Sequence, residues 1–309
     1  MSDHDQHDDA PDRARRRFLQ RVGTVAAAAA AAPASEGAWG GKTLEDALGE
    51  FFQDNYRRMT PEEVKEAIGR IERRAKRLYG VDITVGNEPP LPGVVFGYAI
   101  NVSKCRGYRD CVRACGEENN QSLDMQYIRV LQLDQGSLNF EQAEHYYPGD
   151  QVPVEGKHYV PVQCQQCDNP PCVKACPVGA TWKEPDGVVV VDYDWCIGCR
   201  YCMAACPYQA RVFNWGAPDL PAERINPKTH YLGNRPRQAG SVEKCHFCLQ
   251  RTRVGKLPAC QEACPTGARV FGNLLDPESE IRYVLEHKVV FRLKEDVGTE
   301  PKFWYYRDV

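Results

Sequence analysis

The sequence predicts an α+β chain whose main unit is duplicated, with small helix-and-strand modules and a helical extension in front of them. Three observations predict it. Four cysteine runs follow one another between Cys105 and Cys264. Between the second and third runs, Ala180 to Trp182, Pro185-Asp186-Gly187 and Val188 to Val191 read as strand, turn, strand. Residues 42 to 80 hold no cysteine and carry apolar side chains at helical period.

Composition narrows the chemistry. The chain has 309 residues, 42% of them hydrophobic, and a formal net charge of −3, which argues against a nucleic-acid binder that depends on neutralising phosphates. It has fifteen cysteines, an odd number set in tight clusters. Disulfides between such near neighbours are sterically poor, so a disulfide scaffold is not expected.

The N-terminus reads as an address. Arg15-Arg16-Arg17-Phe18-Leu19 is followed by an apolar, Ala-rich stretch from Val22 to Ala32 and by Ala32-Pro33-Ala34 before Ser35. Charged region, apolar region and small-residue cleavage site occur in register over residues 1 to 34. The arginine pair resembles a twin-arginine export signal, which implies export of a folded protein to the periplasm or outer face of the cytoplasmic membrane. After residue 34 no run approaches the roughly 20 apolar residues of a membrane span. The mature chain is therefore expected to have no direct transmembrane segment.

Residues 35 to 95 read as a helical extension and linker. Leu44, Leu48, Phe52 and Tyr56 share one stripe. A second helix opens on Thr60-Pro61-Glu62-Glu63, an N-cap with proline at the first helical position and a glutamate placed to close a capping box. Val64, Ile68, Ile71, Ala75 and Leu78 mark its expected buried face, and Gly80 is a plausible stop. Arg70, Arg73, Arg74, Lys76 and Arg77 lie on the other side, either as a solvated face or as a dock for an acidic partner. Pro89, Pro90 and Pro92 lead to a boundary near residue 95.

The cysteine runs occupy residues 96 to 309, with insertions at 116 to 163 and 207 to 244. The third run, Cys196-Ile-Gly-Cys199-Arg-Tyr-Cys202-Met-Ala-Ala-Cys206-Pro207, has the C-x2-C-x2-C-x3-C-P spacing of bacterial ferredoxins. In that arrangement three thiolates hold one cluster and the fourth reaches a neighbour. The second run is Cys164, Cys167, Cys172 and Cys176-Pro177, with two extra residues before its third cysteine. The fourth is Cys245, Cys248, Cys260 and Cys264-Pro265. The first, Cys105, Cys111 and Cys115, fits the same template except that Tyr108 stands at the second ligand position. Each run ends in two cysteines one helical turn apart, and in three of them a proline stops the helix at once. Two short strands with two short helices, repeated, make a ferredoxin-like unit. Zinc is the competing reading for any single C-x2-C pair.

Cys164 to Pro177, Cys196 to Pro207 and Cys245 to Pro265, together with Gly298-Thr299-Glu300-Pro301 and Tyr305-Tyr306, resemble the four-cluster iron-sulfur subunits of the complex iron-sulfur oxidoreductases. That family includes the electron-transfer subunits of dimethyl sulfoxide, polysulfide, tetrathionate and nitrate reductases. The resemblance implies that runs one and four share one pair of clusters and runs two and three the other. Carried over, Cys164, Cys167, Cys172 and Cys206 hold one [4Fe-4S] cluster, and Cys176, Cys196, Cys199 and Cys202 hold its neighbour. Cys115, Cys245, Cys248 and Cys260 hold a third. Cys105, Cys111 and Cys264 remain, and three thiolates imply a [3Fe-4S] cluster; Tyr108, water or Asp110 are the alternatives as a fourth ligand. Lys104, Arg106, Arg109 and Arg113 are expected to surround this site and raise its potential.

No nucleophile and base pair is evident, and His246 reads as an outer neighbour of the ligands or a surface residue. The expected role is one-electron relay between an integral membrane quinone-interacting subunit and a catalytic subunit, of molybdopterin or multihaem cytochrome type. A free periplasmic multi-cluster ferredoxin is the rival, and a structural zinc module the third reading.

Overall fold

The computed structural model describes residues 59–137 and 139–308; the export signal and the stripe from Leu44 to Tyr56 lie outside the described residues. Helix α1, Pro61–Tyr79, begins as its sequence dictates. The Thr60 hydroxyl accepts from the Glu63 N–H and the Glu63 carboxylate accepts from the Thr60 N–H, while Gly80 closes the helix in the left-handed region at φ 70°. Its buried face is Ala67, Ile71 and Ala75. Leu78 is instead 61% exposed, because the stripe drifts round the helix and small alanines allow close approach. The basic side is partly engaged, Arg70 with Glu66 at 3.2 Å and Lys76 with Asp82 at 2.5 Å nearby, and Arg74 with the distant Gln238 at 2.6 Å.

The strands form small sheets. The largest has four strands in the order β10 (Arg269–Asn273), β2 (Phe96–Asn101), β12 (Phe303–Tyr306) and β11 (Val290–Phe291). β2 runs antiparallel to β10 and parallel to β12, with Tyr98 opposite both Phe271 and Phe303. Their rings pack into the core, Tyr98 on Phe303 at 4.9 Å and Phe96 on Phe271 at 4.9 Å. Burial of one such ring contributes about 2–3 kcal/mol.

Four two-stranded sheets complete the pattern. β1 (Thr84–Gly86) lies parallel to β8 (Lys228–His230). Antiparallel pairs join β3 (Arg129–Asp134) to β4 (Lys157–Val162), β5 (Thr181–Lys183) to β6 (Val189–Val191), and β7 (Arg211–Phe213) to β9 (Val242–Lys244). The β5–β6 hairpin is the strand, turn, strand expected from its sequence. This mixture of short helices and small sheets is an α+β, ferredoxin-like architecture, and among the described residues no helix is long and apolar enough to cross a membrane.

Residues 207 to 244 carry β7, β8 and β9, and α1 shares a core with Tyr98, Leu220 and Tyr231. Ion pairs buried on both sides pin the loops: Arg253 holds Asp186 at 2.9 Å and Arg237 holds Glu243 at 3.1 Å.

His230, at the end of β8, is wholly buried and its ring is satisfied as a neutral tautomer. Nδ1 accepts from the Leu232 N–H at 3.1 Å, and Nε2 donates to the Glu88 carbonyl at 3.1 Å. The Glu88 carboxylate, 3.8 Å away and partly exposed, does not offset the desolvation, and burial lowers the His230 pKa to about 4. The unfolded chain therefore takes up this proton first. Stability is complete above about pH 6.5 and falls by at most about 3 kcal/mol as the pH drops towards 4. A thermal-melting series from pH 7.5 to 5 checks this: H230Q, which cannot titrate, should flatten the slope, and an unchanged slope would exclude the assignment.

Candidate metal centres

The cysteine runs fold into loop-and-helix units whose helix lengths follow the prolines. Run one lacks a terminal proline, and its helix α2 extends over nine residues, Asp110–Glu118, carrying Cys111 and Cys115. The other three helices, α3 (Pro171–Lys174), α4 (Tyr201–Ala204) and α6 (Ala259–Glu262), have four residues each. A fourth short helix, α5 (Leu249–Thr252), follows Cys248 directly.

All fifteen thiols are free, and thiols from different runs come together. Cys164, Cys167, Cys172 and Cys206 line one cavity with Pro170, Pro171 and Arg211. Burial, then the neighbouring Cys164, pushes the Cys167 thiol up to about 12. Cys176, Cys196, Cys199 and Cys202 form a second set, within which burial and then mutual repulsion raise Cys196. Cys199 is the one exposed cysteine among the fifteen. Cys115, Cys245, Cys248 and Cys260 form a third, fully buried set, in which burial and the adjacent Cys260 push Cys248 to about 12. Cys105, Cys111 and Cys264 line the remaining cavity with Tyr108 and Asp110, and burial raises Cys105 to about 11.

Donors point at the sulfurs from the protein. The Gln121 amide reaches Cys115 Sγ at 3.2 Å, and the Asn119 amide lies 3.5 Å from Cys115 Sγ and 3.6 Å from Cys248 Sγ. The Ala268 N–H reaches Cys264 Sγ at 3.3 Å, and the Tyr98 hydroxyl lies 3.3 Å from Cys260 Sγ. Two buried guanidinium groups join them. Arg211 Nη2 donates to Cys172 Sγ at 3.1 Å, and Arg269 Nη2 donates to Cys111 Sγ at 3.3 Å.

This donor set fits iron-sulfur clusters. Soft thiols surround each cavity, and N–H groups are aimed where anionic sulfur would lie. Arg211 Nε and Nη1 are buried without a protein acceptor, so the cavity wall carries positive charge still to be balanced. Among the described residues no three Cys, His, Asp or Glu groups converge closely enough to hold a single metal ion.

The cations read from sequence near the three-thiol set are only partly directed at it. Arg106 and Arg109 line the cavity, yet the Arg109 guanidinium donates to the Tyr147 carbonyl at 2.6 Å and to Gln126 at 3.1 Å. Arg113 pairs with Asp110 at 2.5 Å, which also occupies that carboxylate, and Lys104 lies 3.8 Å from Asp308. The guanidinium that does reach a thiol of this set is that of Arg269, which single-residue reading passed over. Its signal was present as Cys-Pro-x-x-Ala-Arg at Cys206 to Arg211 and again at Cys264 to Arg269. His246 is fully buried and not at the surface: Nδ1 accepts from the Leu249 N–H at 3.3 Å, and burial, then Arg237 and Lys244, hold its pKa well below the usual range.

Comparison with known proteins gives one family match, a 4Fe-4S dicluster domain over residues 156–220 and 231–274. Similar proteins include one provisionally assigned as an iron-sulfur subunit of dimethyl sulfoxide reductase in Halobacterium salinarum, 43% identical over 68% of this chain and 78% of the relative. A selenate reductase subunit of Mesobacillus selenatarsenatis is 36% identical over 72% and 76%. The iron-sulfur cluster-binding subunit of menaquinone reductase from Nitratidesulfovibrio vulgaris is 37% identical over 69% and 88%.

Gly198, between Cys196 and Cys199, has φ 73°, and a Cβ there would stand 2.3 Å from the Gly240 carbonyl oxygen. A side chain at this position is both strained and blocked by backbone. G198A should cost at least about 2 kcal/mol in thermal unfolding. It should also lose about four irons, the content of one cubane. Full iron content at unchanged stability would contradict the geometry.

Proposed function

The chain belongs to the family of iron-sulfur electron-transfer subunits of multi-subunit reductases, is not an enzyme on its own, and from that premise we propose that it carries single electrons through three [4Fe-4S] clusters and one [3Fe-4S] cluster. The observation that carries this reading is that Cys206 lines one cavity with Cys164, Cys167 and Cys172, and Cys264 another with Cys105 and Cys111, which supports sets of four, four, four and three. Each four-membered set draws three cysteines from one run and one from another. The three-membered set consists of Cys105, Cys111 and Cys264, with Tyr108 at the missing position.

Bound clusters supply reversible one-electron chemistry at potentials set by ligation, charge and hydrogen bonding. The chain's own residues hold the thiolates, shield most of them from water by burial, and direct N–H groups at the sulfurs. Tyr108 and Asp110 line the cavity, but Tyr108 is 37% exposed and the Asp110 carboxylate is engaged by Arg113, so neither is fixed there as a preformed ligand. This supports three thiolates at that site.

The partners follow from the same reading: an integral membrane quinone-interacting subunit at one end, and a catalytic or cytochrome subunit at the other. Residues 1 to 34 support export by the twin-arginine route to the periplasmic side of the cytoplasmic membrane, with residues 35 to 95 as the extension and 96 to 309 as the four-cluster unit. Co-purification from membranes with both partners is the expected result; recovery as a free monomer from the soluble fraction would favour the rival carrier.

Analysis of freshly isolated anaerobic protein should find about 15 irons with matching acid-labile sulfide. Its oxidised form should give the EPR signal of a [3Fe-4S] cluster. Y108C should abolish that signal, raise the iron content by about one and lower the potential of the site. Retention of the signal in Y108C would refute the ligand assignment, and zinc in place of iron would refute the reading as a whole.

A further inference from the structure

Arg211 and Arg269 hold equivalent places in the two halves of the cluster unit. Each lies five residues after the last cysteine of its run, in Cys206-Pro-Tyr-Gln-Ala-Arg211 and Cys264-Pro-Thr-Gly-Ala-Arg269. Each is the first residue of a strand, β7 or β10, so its side chain is placed by ladder hydrogen bonds and not by a loop. Both are at least 95% buried. A buried guanidinium without a carboxylate partner is costly unless an anion balances it. Here the groups facing it are sulfurs.

The contacts repeat with the same register. Arg211 Nη2 donates to Cys172, the third cysteine of run two, and Cys202, the third cysteine of run three, lies close enough to interact with the same guanidinium. Arg269 Nη2 donates to Cys111, which stands at the third ligand position of run one. Its Nη1 lies 3.5 Å from the Tyr98 hydroxyl, which in turn lies 3.3 Å from Cys260, the third cysteine of run four. Cys172 and Cys202 belong to different thiol sets, and so do Cys111 and Cys260. Thus each arginine stands between two neighbouring sites. The other polar neighbours are neutral: Thr181 Oγ1 at 2.9 Å from Arg211, and Gln163 Oε1 at 3.0 Å from Arg269.

We propose that Arg211 and Arg269 are positioning residues shared by the two clusters of each pair, one fixed cation per pair that raises both reduction potentials together. The proposal rests on the reading of the thiols as cluster ligands. Reduction adds negative charge to a cluster, and a cation within hydrogen-bond reach of a ligand sulfur stabilises that reduced state. One cation placed between two clusters acts on both, and it lessens the repulsion when both are reduced. Low dielectric around a buried charge strengthens the effect.

EPR-monitored redox titration of the full chain, isolated anaerobically with its clusters, tests this in R211Q, R211K, R269Q and R269K. R211Q should move the midpoint potentials of the two clusters held by runs two and three to more negative values, leaving the other two in place. R269Q should do the reverse. R211K and R269K, which keep the charge, should restore most of the shift. A shift in one cluster only, no shift, or a lysine variant that loses as much as the glutamine variant would overturn the proposal. If a glutamine variant fails to load one pair, the matching lysine variant decides: loading with near-native potentials supports the shared cation, and loading with both potentials lowered overturns it. Iron and sulfide content of the unsubstituted chain is read separately, so failure of the cluster reading itself is distinguished from failure of this inference.

Discussion

The constraint on which this structure depends is the burial of many sulfur atoms that must carry negative charge when they bind iron. As free thiols they are held neutral by desolvation, with Cys105 and Cys202 near 11 and Cys167 and Cys248 near 12. A thiolate in such surroundings needs compensation from N–H donors, from cations or from the metal itself. The chain supplies the first two from the amides of Asn119 and Gln121, the Ala268 N–H, and two guanidinium groups. Charge-assisted hydrogen bonds of this kind are worth about 1.5–3 kcal/mol each. The short helices contribute little on their own, since helices of four residues are unstable in isolation. Ligation and the surrounding core must hold them.

That core is partly apolar and partly ionic. Tyr98 stacks on Phe303 and meets Phe271 at a tilt where β2, β12 and β10 come together. Elsewhere the loops that carry cysteines are fastened by buried and half-buried pairs. Arg253 clamps Asp186 in the β5–β6 turn, and Arg251 holds Glu118 at the end of α2 at 3.1 Å. Loss of one partner from a buried pair leaves an uncompensated charge, so these contacts fix geometry more than they add net stability.

Much of this was legible in the sequence, for physical reasons that can be named. Cysteine spacing is a strong signal because a cubane demands several thiolates at set intervals, and the hairpin at residues 181 to 191 shows its valines and its turn openly. The capping box of α1 is equally local. What depended on tertiary packing was not legible. Leu78 follows the helical period yet faces solvent, while Ala67 is buried because a small side chain suits close approach. The lysine and arginines beside run one looked like the charges that would act on its cluster, but Arg113 and Lys104 are drawn to nearby acids and Arg109 to a carbonyl. Arg269, more than 150 residues away in sequence, reaches that site instead, and only the fold brings it there.

The place of β12 bears on how the protein is made. β2 sits between β10 and β12, and its partners Phe271 and Phe303 emerge from the ribosome long after Tyr98 does. Contacts so distant in sequence cannot form until the later strand exists, and closing such a loop is entropically slow. Run one flanks β2, and its cavity is closed by Cys264 and Arg269. The first cysteines to be synthesised therefore belong to a site that is among the last to be completed. Until then Cys105 and Cys111 wait without Cys264, so the cavity they line closes late in the order of synthesis.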